Sequence, residues 1–269
     1  MYMKTKTDNH PLLNTRSNCL ITVFLLIIGL NGCIDPPIIG NGEIGEETRV
    51  LPAFSEIVSN GSYDVFFEYG ESYEARIVCE SNLLPYVETS VFDGPLDIRT
   101  PHHVSISNYL PIEIYVKSPS IDKINLAGSG SIETCTLTEP SLSLIISGSG
   151  EIRSSFRGST LGININGSGD MLIDAECETL AFMNDASGDL TLRGSCQQAT
   201  YSLSGSGNVD AFDFPCKEAN ASLSGSGDLS IRVSDYLNVS ISGSGDLYYF
   251  GTPSINQVIT GSGNLINKN

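Results

Sequence analysis

Residues 220–250 read NASLSGSGDLSIRVSDYLNVSISGSGDLYYF, in which one Ser-Gly-Ser-Gly-Asp corner occurs twice, its first glycine at Gly225 and again at Gly243. Before the first corner Ala221 and Leu223 alternate with polar residues; before the second, Leu237, Val239 and Ile241 do the same. Strict alternation of this kind marks a strand with one buried face. Apolar side chains resume after the first corner, at Leu229 and Ile231. Each unit is therefore a strand, a tight corner, a second strand and a looser turn.

The pattern extends in both directions. Gly-Ser-Gly begins at Gly128, Gly148, Gly167, Gly205, Gly225, Gly243 and Gly261, and Ala186-Ser187-Gly188 fills the gap. Successive starts step by 20, 19, 19, 19, 20, 18 and 18. Two strands and two bends leave no room for a helix in such a unit. Parallel strands without helical crossovers require a chain that coils and stacks on itself. The expected fold is all-β: a parallel β-helix, or β-solenoid, with turns of about 19 residues spaced about 4.8 Å apart. One unit cannot bury its apolar face alone, so stacking must supply the core. Residues 126–269 form this repeat solenoid.

Residues 49–125 lack the tight period but read as strands at FSEIV, SYDVFFEY, YEARIVCE, PLDIRT and PIEIYVK, with turn clusters at SNGS, YGES and FDGP. SNLLPYVE (81–88) suits one short helical turn. NGSYDV and DGPLDI resemble degenerate corners. This region is expected to be an irregular β cap on the N-terminal end of the solenoid; a separate small β-sandwich is the alternative.

The corner is not a phosphate loop, because its glycines open strands rather than a helix and no lysine follows. Glycine permits positive φ at a sharp bend. The serine hydroxyls are placed to bond from turn to turn, and the following acid to accept from backbone amides. That acid column runs Ser131, Glu151, Asp170, Asp189, Asn208, Asp228, Asp246 and Asn264. Charges ~5 Å apart in bulk water repel by only about 0.8 kcal/mol, so solvated capping acids are the favoured reading. The alternative is calcium held between Asp170, Asp189, Asp228 and Asp246, which would have to supply six to eight oxygens.

Cysteines follow the period too. Beyond Cys19 and Cys33 the chain has Cys79, Cys135, Cys177, Cys196 and Cys216. The last three recur at one coil length, which predicts a ladder of buried thiols, with one disulfide among them as the alternative. An odd number leaves at least one thiol free or paired between chains. His102 and His103, in RTPHHVSISNYLP, suit a polar loop. No nucleophile–base spacing emerges, so no catalytic set is assigned. Polysaccharide-cleaving β-helices gather acids beside a basic residue, whereas Arg153, Arg193 and Arg232 fall on scattered phases of the repeat. Only the longer stretch 90–112 could build a cleft.

The beginning of the chain reads as an export signal. Lys4, Lys6 and Arg16 precede LITVFLLIIGL (20–30), an apolar run too short to span a bilayer but suited to a signal-peptide core. Leu30-Asn31-Gly32-Cys33 resembles the bacterial lipoprotein signal, with residues 1–32 removed and Cys33 lipidated; an ordinary secretory signal is the alternative. Ile34 after Cys33 favours the outer membrane by resemblance to lipoprotein sorting, and residues 33–48 read as a flexible tether. No later stretch is long and apolar enough for a transmembrane helix. The full chain carries a formal charge of −17, and removal of residues 1–32 leaves 11 basic and 30 acidic side chains. Such an excess argues against nucleic acid as a partner.

A lipoprotein-type leader, LPAFSEIVSNGSYDVFFEYG, ESNLLPYVETSVFDGPLDIRT, PIEIYVKSPSIDKINLAGSGSI and serial SGSGDL corners together resemble the head GIN domain family of bacterial exported proteins, over about residues 50–266. The resemblance implies a β-helix-like fold, an exported location and an adhesin label, and carries over no catalytic residue. Ala186 departs from the repeat and predicts a distorted corner. The expected function is a lipid-anchored, non-enzymatic module that binds glycan or protein. The alternatives are a polysaccharide-acting β-helix enzyme and a structural envelope component. Gly261-Ser262-Gly263 leaves little sequence to cover the final turn, and an open solenoid end invites pairing, so a homo-oligomer is expected.

Overall fold

The computed structural model describes residues 1–2 and 36–269. The run read as a signal core, Cys19, and Cys33, the residue expected to be lipidated, lie outside the described residues. Pro37–Asn269 is one compact unit, and it carries the whole described core.

The alternation seen in the sequence becomes two parallel sheets whose buried faces share that core. The first is built from the strands that precede the corners. It runs in space from Pro95–Arg99 through Glu56–Asn60, Lys123–Leu126, Ser141–Ile146, Thr160–Ile165, Thr179–Asn184 and Gln198–Leu203 towards Ser254–Ile259. The second, after the corners, runs from Glu113–Ser118 through Asp64–Tyr69, Ser131–Thr138, Glu151–Arg157, Asp170–Glu176 and Leu190–Ser195 to Leu265–Asn267. Leu144, Ile163, Leu237 and Ile241 stack inward without exposure, each contributing about 1.5–3 kcal/mol of apolar burial.

Residues 56–126 belong to the same stack rather than to a separate sandwich, but not in chain order. The coil 56–69 lies between coil 95–118 and coil 123–138. Antiparallel strands close the N-terminal end: Glu74–Glu80 pairs with Glu113–Ser118, and Glu88–Val91 with Pro95–Arg99. Asp93 (φ 55) and Gly94 (φ 125) turn the second hairpin, the double positive φ of a tight two-residue turn. The short helical turn falls at Leu84–Tyr86.

One expected boundary is corrected. Part of the segment read as a tether, 33–48, is strand: Ile38–Ile39 pairs with Ile106–Ser107, and Ile44–Val50 runs antiparallel to Glu74–Glu80. Glu80 anchors it. This carboxylate is fully buried and accepts from the amides of Gly42 (2.7 Å) and Tyr109 (2.8 Å). Burial pushes its pKa up, but the amides of Gly42, Tyr109 and Leu110 outweigh that and hold it below the usual carboxylate value. Prolines and glycines in the sequence masked this pairing.

The corner glycines serve close approach, not positive φ. Among the described residues the positive-φ glycines are Gly42, Gly94, Gly194 and Gly251, outside the repeated corners. A Cβ on Gly207 would instead lie 2.0 Å from the carbonyl oxygen of Gly188, and one on Gly263 2.0 Å from that of Gly245. Corner joints are backbone bonds, such as Ser226 N to Gly205 O at 3.0 Å. A hydroxyl pair joins Ser62 to Ser129 at 2.9 Å, which identifies Gly61-Ser62 as the degenerate first corner.

Candidate functional site

The acid column is brought into a row and put to structural use. Oδ1 of Asp170 accepts from the amide of Asp189, and Oδ1 of Asp189 from Asn208; the relay continues through Asp228 and Asp246 to Asn264. Asn208 serves as well as its acidic neighbours because each position needs only an Oδ1 acceptor. Asn264, through its side-chain and backbone amides, lowers the Asp246 pKa. Among the described residues no group of three or more His, Cys, Asp or Glu is arranged to hold a metal.

The Ala186 corner is distorted, as its sequence implies. Ser187 N to Gly167 O is 3.4 Å, against 2.8 Å for Ser206 N to Ala186 O. Asn184 braces it from inside. This residue occupies an inward position, is fully buried, donates from Nδ2 to Gly188 O (2.8 Å) and accepts at Oδ1 from Ala186 N (2.9 Å).

Cysteines 177, 196 and 216 stack as the period requires, and all five described cysteines are free thiols. Cys196 and Cys216 are buried. The Cys196 pKa is raised by its hydrogen bond to Cys177, the same bond that lowers Cys177. The hydroxyl of Tyr201, fully buried beside them, has no hydrogen-bond partner among the described residues. His102 and His103 sit exposed on the loop after Arg99. The cleft that this loop does form is lined by Gly61, Tyr63, Thr100, Val104, Asn108 and neighbours, without an Asp, Glu, Arg or Lys.

The outer face of the second sheet holds what the sequence reading missed. The coil from Gly128 to Gly148 is one residue longer than the coil that follows it, and the surplus forms a β-bulge: Glu133 pairs with Arg153, then Thr136 with Ser155. A bulge bends its strand and re-aims side chains. Two adjoining grooves flank it, of about 300 Å³ and about 200 Å³, and Glu133 and Thr134 line both. At one end Phe66 stacks on Tyr115, with centroids 5.1 Å apart and planes 21° from parallel. The Arg76 guanidinium lies 4.0 Å from the Tyr115 centroid. At the other end are Arg153, Asp174 and Arg193.

Here the scattered arginine phases mislead. Arg153 and Arg193 differ in phase by two positions, so both face outward, and they line one groove from either side of the coil that carries Asp174. Arg153 is held by Glu151 (2.8 Å) and Asp174 by Arg157 (3.5 Å). Glu133 and Arg193 have no ion-pair partner within 4.0 Å among the described residues.

Comparison with known proteins agrees with this architecture. A family model described as "Putative auto-transporter adhesin, head GIN domain" matches residues 53–253. A Parabacteroides distasonis protein described as a "putative lipid binding protein" superposes with a TM-score of 0.81 at 24% identity, covering 87% of this chain and 100% of its own. A "putative adhesin" from Parabacteroides merdae gives 0.82 at 21% identity, with 87% and 100% covered. Another from Parabacteroides distasonis gives 0.76 at 20%, with 86% and 100%. No curated protein sequence matches this one. Among the described residues no helix is long and apolar enough to cross a membrane.

Proposed function

Because the chain belongs to the head GIN domain family, we propose that it is a non-enzymatic adhesion module of the bacterial envelope that binds carbohydrate along its bulged outer face. One observation carries this reading: an aromatic wall at Phe66 and Tyr115 runs through Glu133 and Thr134 into the charged end at Arg153, Asp174 and Arg193. Sugars present apolar ring faces and polar rims. Half-buried aromatic rings suit the former, while carboxylates and guanidinium groups suit hydroxyls and acidic substituents. In this reading the lipoprotein leader delivers the chain, and acylated Cys33 holds it at the outer membrane.

The same reading includes self-association through the coil 251–269. Ile255, Val258 and Ile259 are 37%, 56% and 40% exposed there. That coil contains no Asp or Glu, although the chain has 31. A protein so acidic can bring two copies together most readily where its acids are missing. The opposite end is covered by antiparallel strands, so association through this coil closes at two copies.

The test is a glycan array probed with residues 37–269, with and without EDTA. Saturable capture is expected. Tyr115→Ala should weaken it about tenfold, equivalent to ~1.4 kcal/mol. Absence of any glycan capture, or capture indifferent to Tyr115→Ala and Arg193→Gln, would overturn the reading. Cleavage of a captured polymer would transfer it to the enzyme alternative, for which Glu133 and Asp174 in one groove are the favouring observation.

A further inference from the structure

The coil from Gly205 to Gly225 is also one of the long ones, and the two coils after it, to Gly243 and Gly261, are the shortest of the repeat. Its surplus must leave the register. Ala211 pairs with Ile231 but Pro215 with Arg232, and a compensating shift follows between Cys216 and Glu218. The mismatch opens a cavity of about 520 Å³ among the loose turns of successive coils, lined from Gln197 through Lys217 and Ser234 to Thr252. That volume lies in the range of small-molecule sites.

Its lining divides into two parts. Cys196, Cys216 and Val233, all at least nine-tenths buried, make an apolar floor with the Phe250 ring beside them. Lys217 and Arg232 supply two positive charges, and no lining residue is Asp or Glu. This is anomalous in a chain of charge −17. The cations from Arg49 to Arg157 each pair with a carboxylate. Lys217 and Arg232 have no such partner within 4.0 Å among the described residues. Arg232 is nevertheless held in place. Its Nε donates to Phe212 O at 3.0 Å, and its guanidinium lies 5.1 Å from the Phe250 centroid. The two Nη groups make no hydrogen bond among the described residues and remain available as a donor fork.

We propose that this cavity is a binding site for an anionic amphiphile, with a carboxylate head on Arg232 and Lys217 and an apolar body on Val233, Phe250 and the buried thiols. A neutral apolar ligand would leave both cations uncompensated. A bare inorganic anion would leave the floor wet. Only a molecule with both parts satisfies the site. It shares no lining residue with the carbohydrate groove, so either reading can fail without the other.

The experiment titrates residues 37–269, a unit that contains the whole described core, with sodium dodecanoate carrying a ¹³C-labelled carboxyl, below its micellar range. Saturable one-to-one binding is expected, with amide shifts confined to residues 195–197, 216–217, 232–234 and 250–252. The double variant Lys217→Gln, Arg232→Gln should weaken binding at least tenfold, while Lys123→Gln leaves it unchanged. Amide shifts of the unmodified protein stand as the readout if the double variant misfolds. Equal binding of neutral dodecyl maltoside, or shifts spread over other coils, would overturn the site. Binding of dodecyl phosphate but not dodecanoate would overturn the carboxylate assignment.

Discussion

The Oδ1 atom of Asp170 lies 2.8 Å from the backbone nitrogen of Asp189, one coil away, and accepts its hydrogen bond. The need for it arises because the interstrand bonds change direction at this column. Gly188 N donates back to Gly167 O, whereas Met171 N donates forward to Asp189 O. The amide at the changeover would have no carbonyl, and the acid of the preceding coil supplies the acceptor. Asp170→Ala should therefore destabilise the protein by about 1 kcal/mol, while Asp170→Asn, which keeps an Oδ1 acceptor as Asn208 does, should be close to neutral. Urea unfolding of both variants checks the contrast.

The same relay sets an acid limit. Hydrogen bonds from Asn264 hold the Asp246 carboxyl below its usual value. A carboxylate with a lowered folded-state pKa stabilises fully above its unfolded value near 3.9, and that contribution is lost as pH falls through the lower folded value. Glu80 shifts in the same direction. Midpoints of thermal unfolding should hold between pH 7 and about 5 and drop below about 4. Asp246→Asn should reduce the slope of that drop.

Asn184 and Ala186 should be energetically coupled. Asn184→Leu restores the apolar residue seen elsewhere in the repeat but removes the two bonds that support the Ala186 corner. Alone it should cost about 1–3 kcal/mol, the penalty of orphaning buried polar groups. Combined with Ala186→Gly it should cost much less. A double-mutant cycle showing simple additivity would remove the brace from the account.

Thiol reactivity should follow burial and hydrogen bonding. Cys135 is exposed and Cys177 half-buried with a lowered pKa. Burial pushes the Cys79 thiol up to about 11, and Cys196 is raised as well. Because the thiolate is the nucleophile, iodoacetamide should label Cys135 and Cys177 in the native protein. Cys79, Cys196 and Cys216 should react only after unfolding, as read by mass spectrometry.

Sedimentation of residues 37–269 should reveal a reversible dimer. Val258→Asp places a charge on the exposed part of coil 251–269 and should return it to monomer without changing the thermal midpoint by more than a few degrees. A strict monomer at high concentration would remove self-association from the proposal.

Much of this architecture was legible because repetition makes each residue's role visible several times over. Leu142, Leu161 and Leu237 share one phase and one buried layer. What periodicity hid lies where it breaks. The two long intervals, starting at Gly128 and Gly205, were in plain view. Their meaning depends on which strand absorbs the surplus, and only pairing reveals the bulges at Glu133 and Pro215. Asn184 carries no local signal, because its role lies in bonds to Gly188 O and Ala186 N that only the folded corner forms. Ile44–Val50 pairs with Glu74–Glu80 across two intervening strands, beyond the reach of local pattern. The arginine phases were read along the chain, although the grooves assemble across it.

The placement of coil 56–69 between two later coils also orders construction. A chain advancing from its N-terminus must keep that stretch open on both flanks until 95–118 has closed one of them; afterwards every further coil is laid in a single direction, like brick courses on a finished footing. Shortening from the C-terminus by whole courses would leave a lower wall standing. Losing 95–118 would leave no foundation.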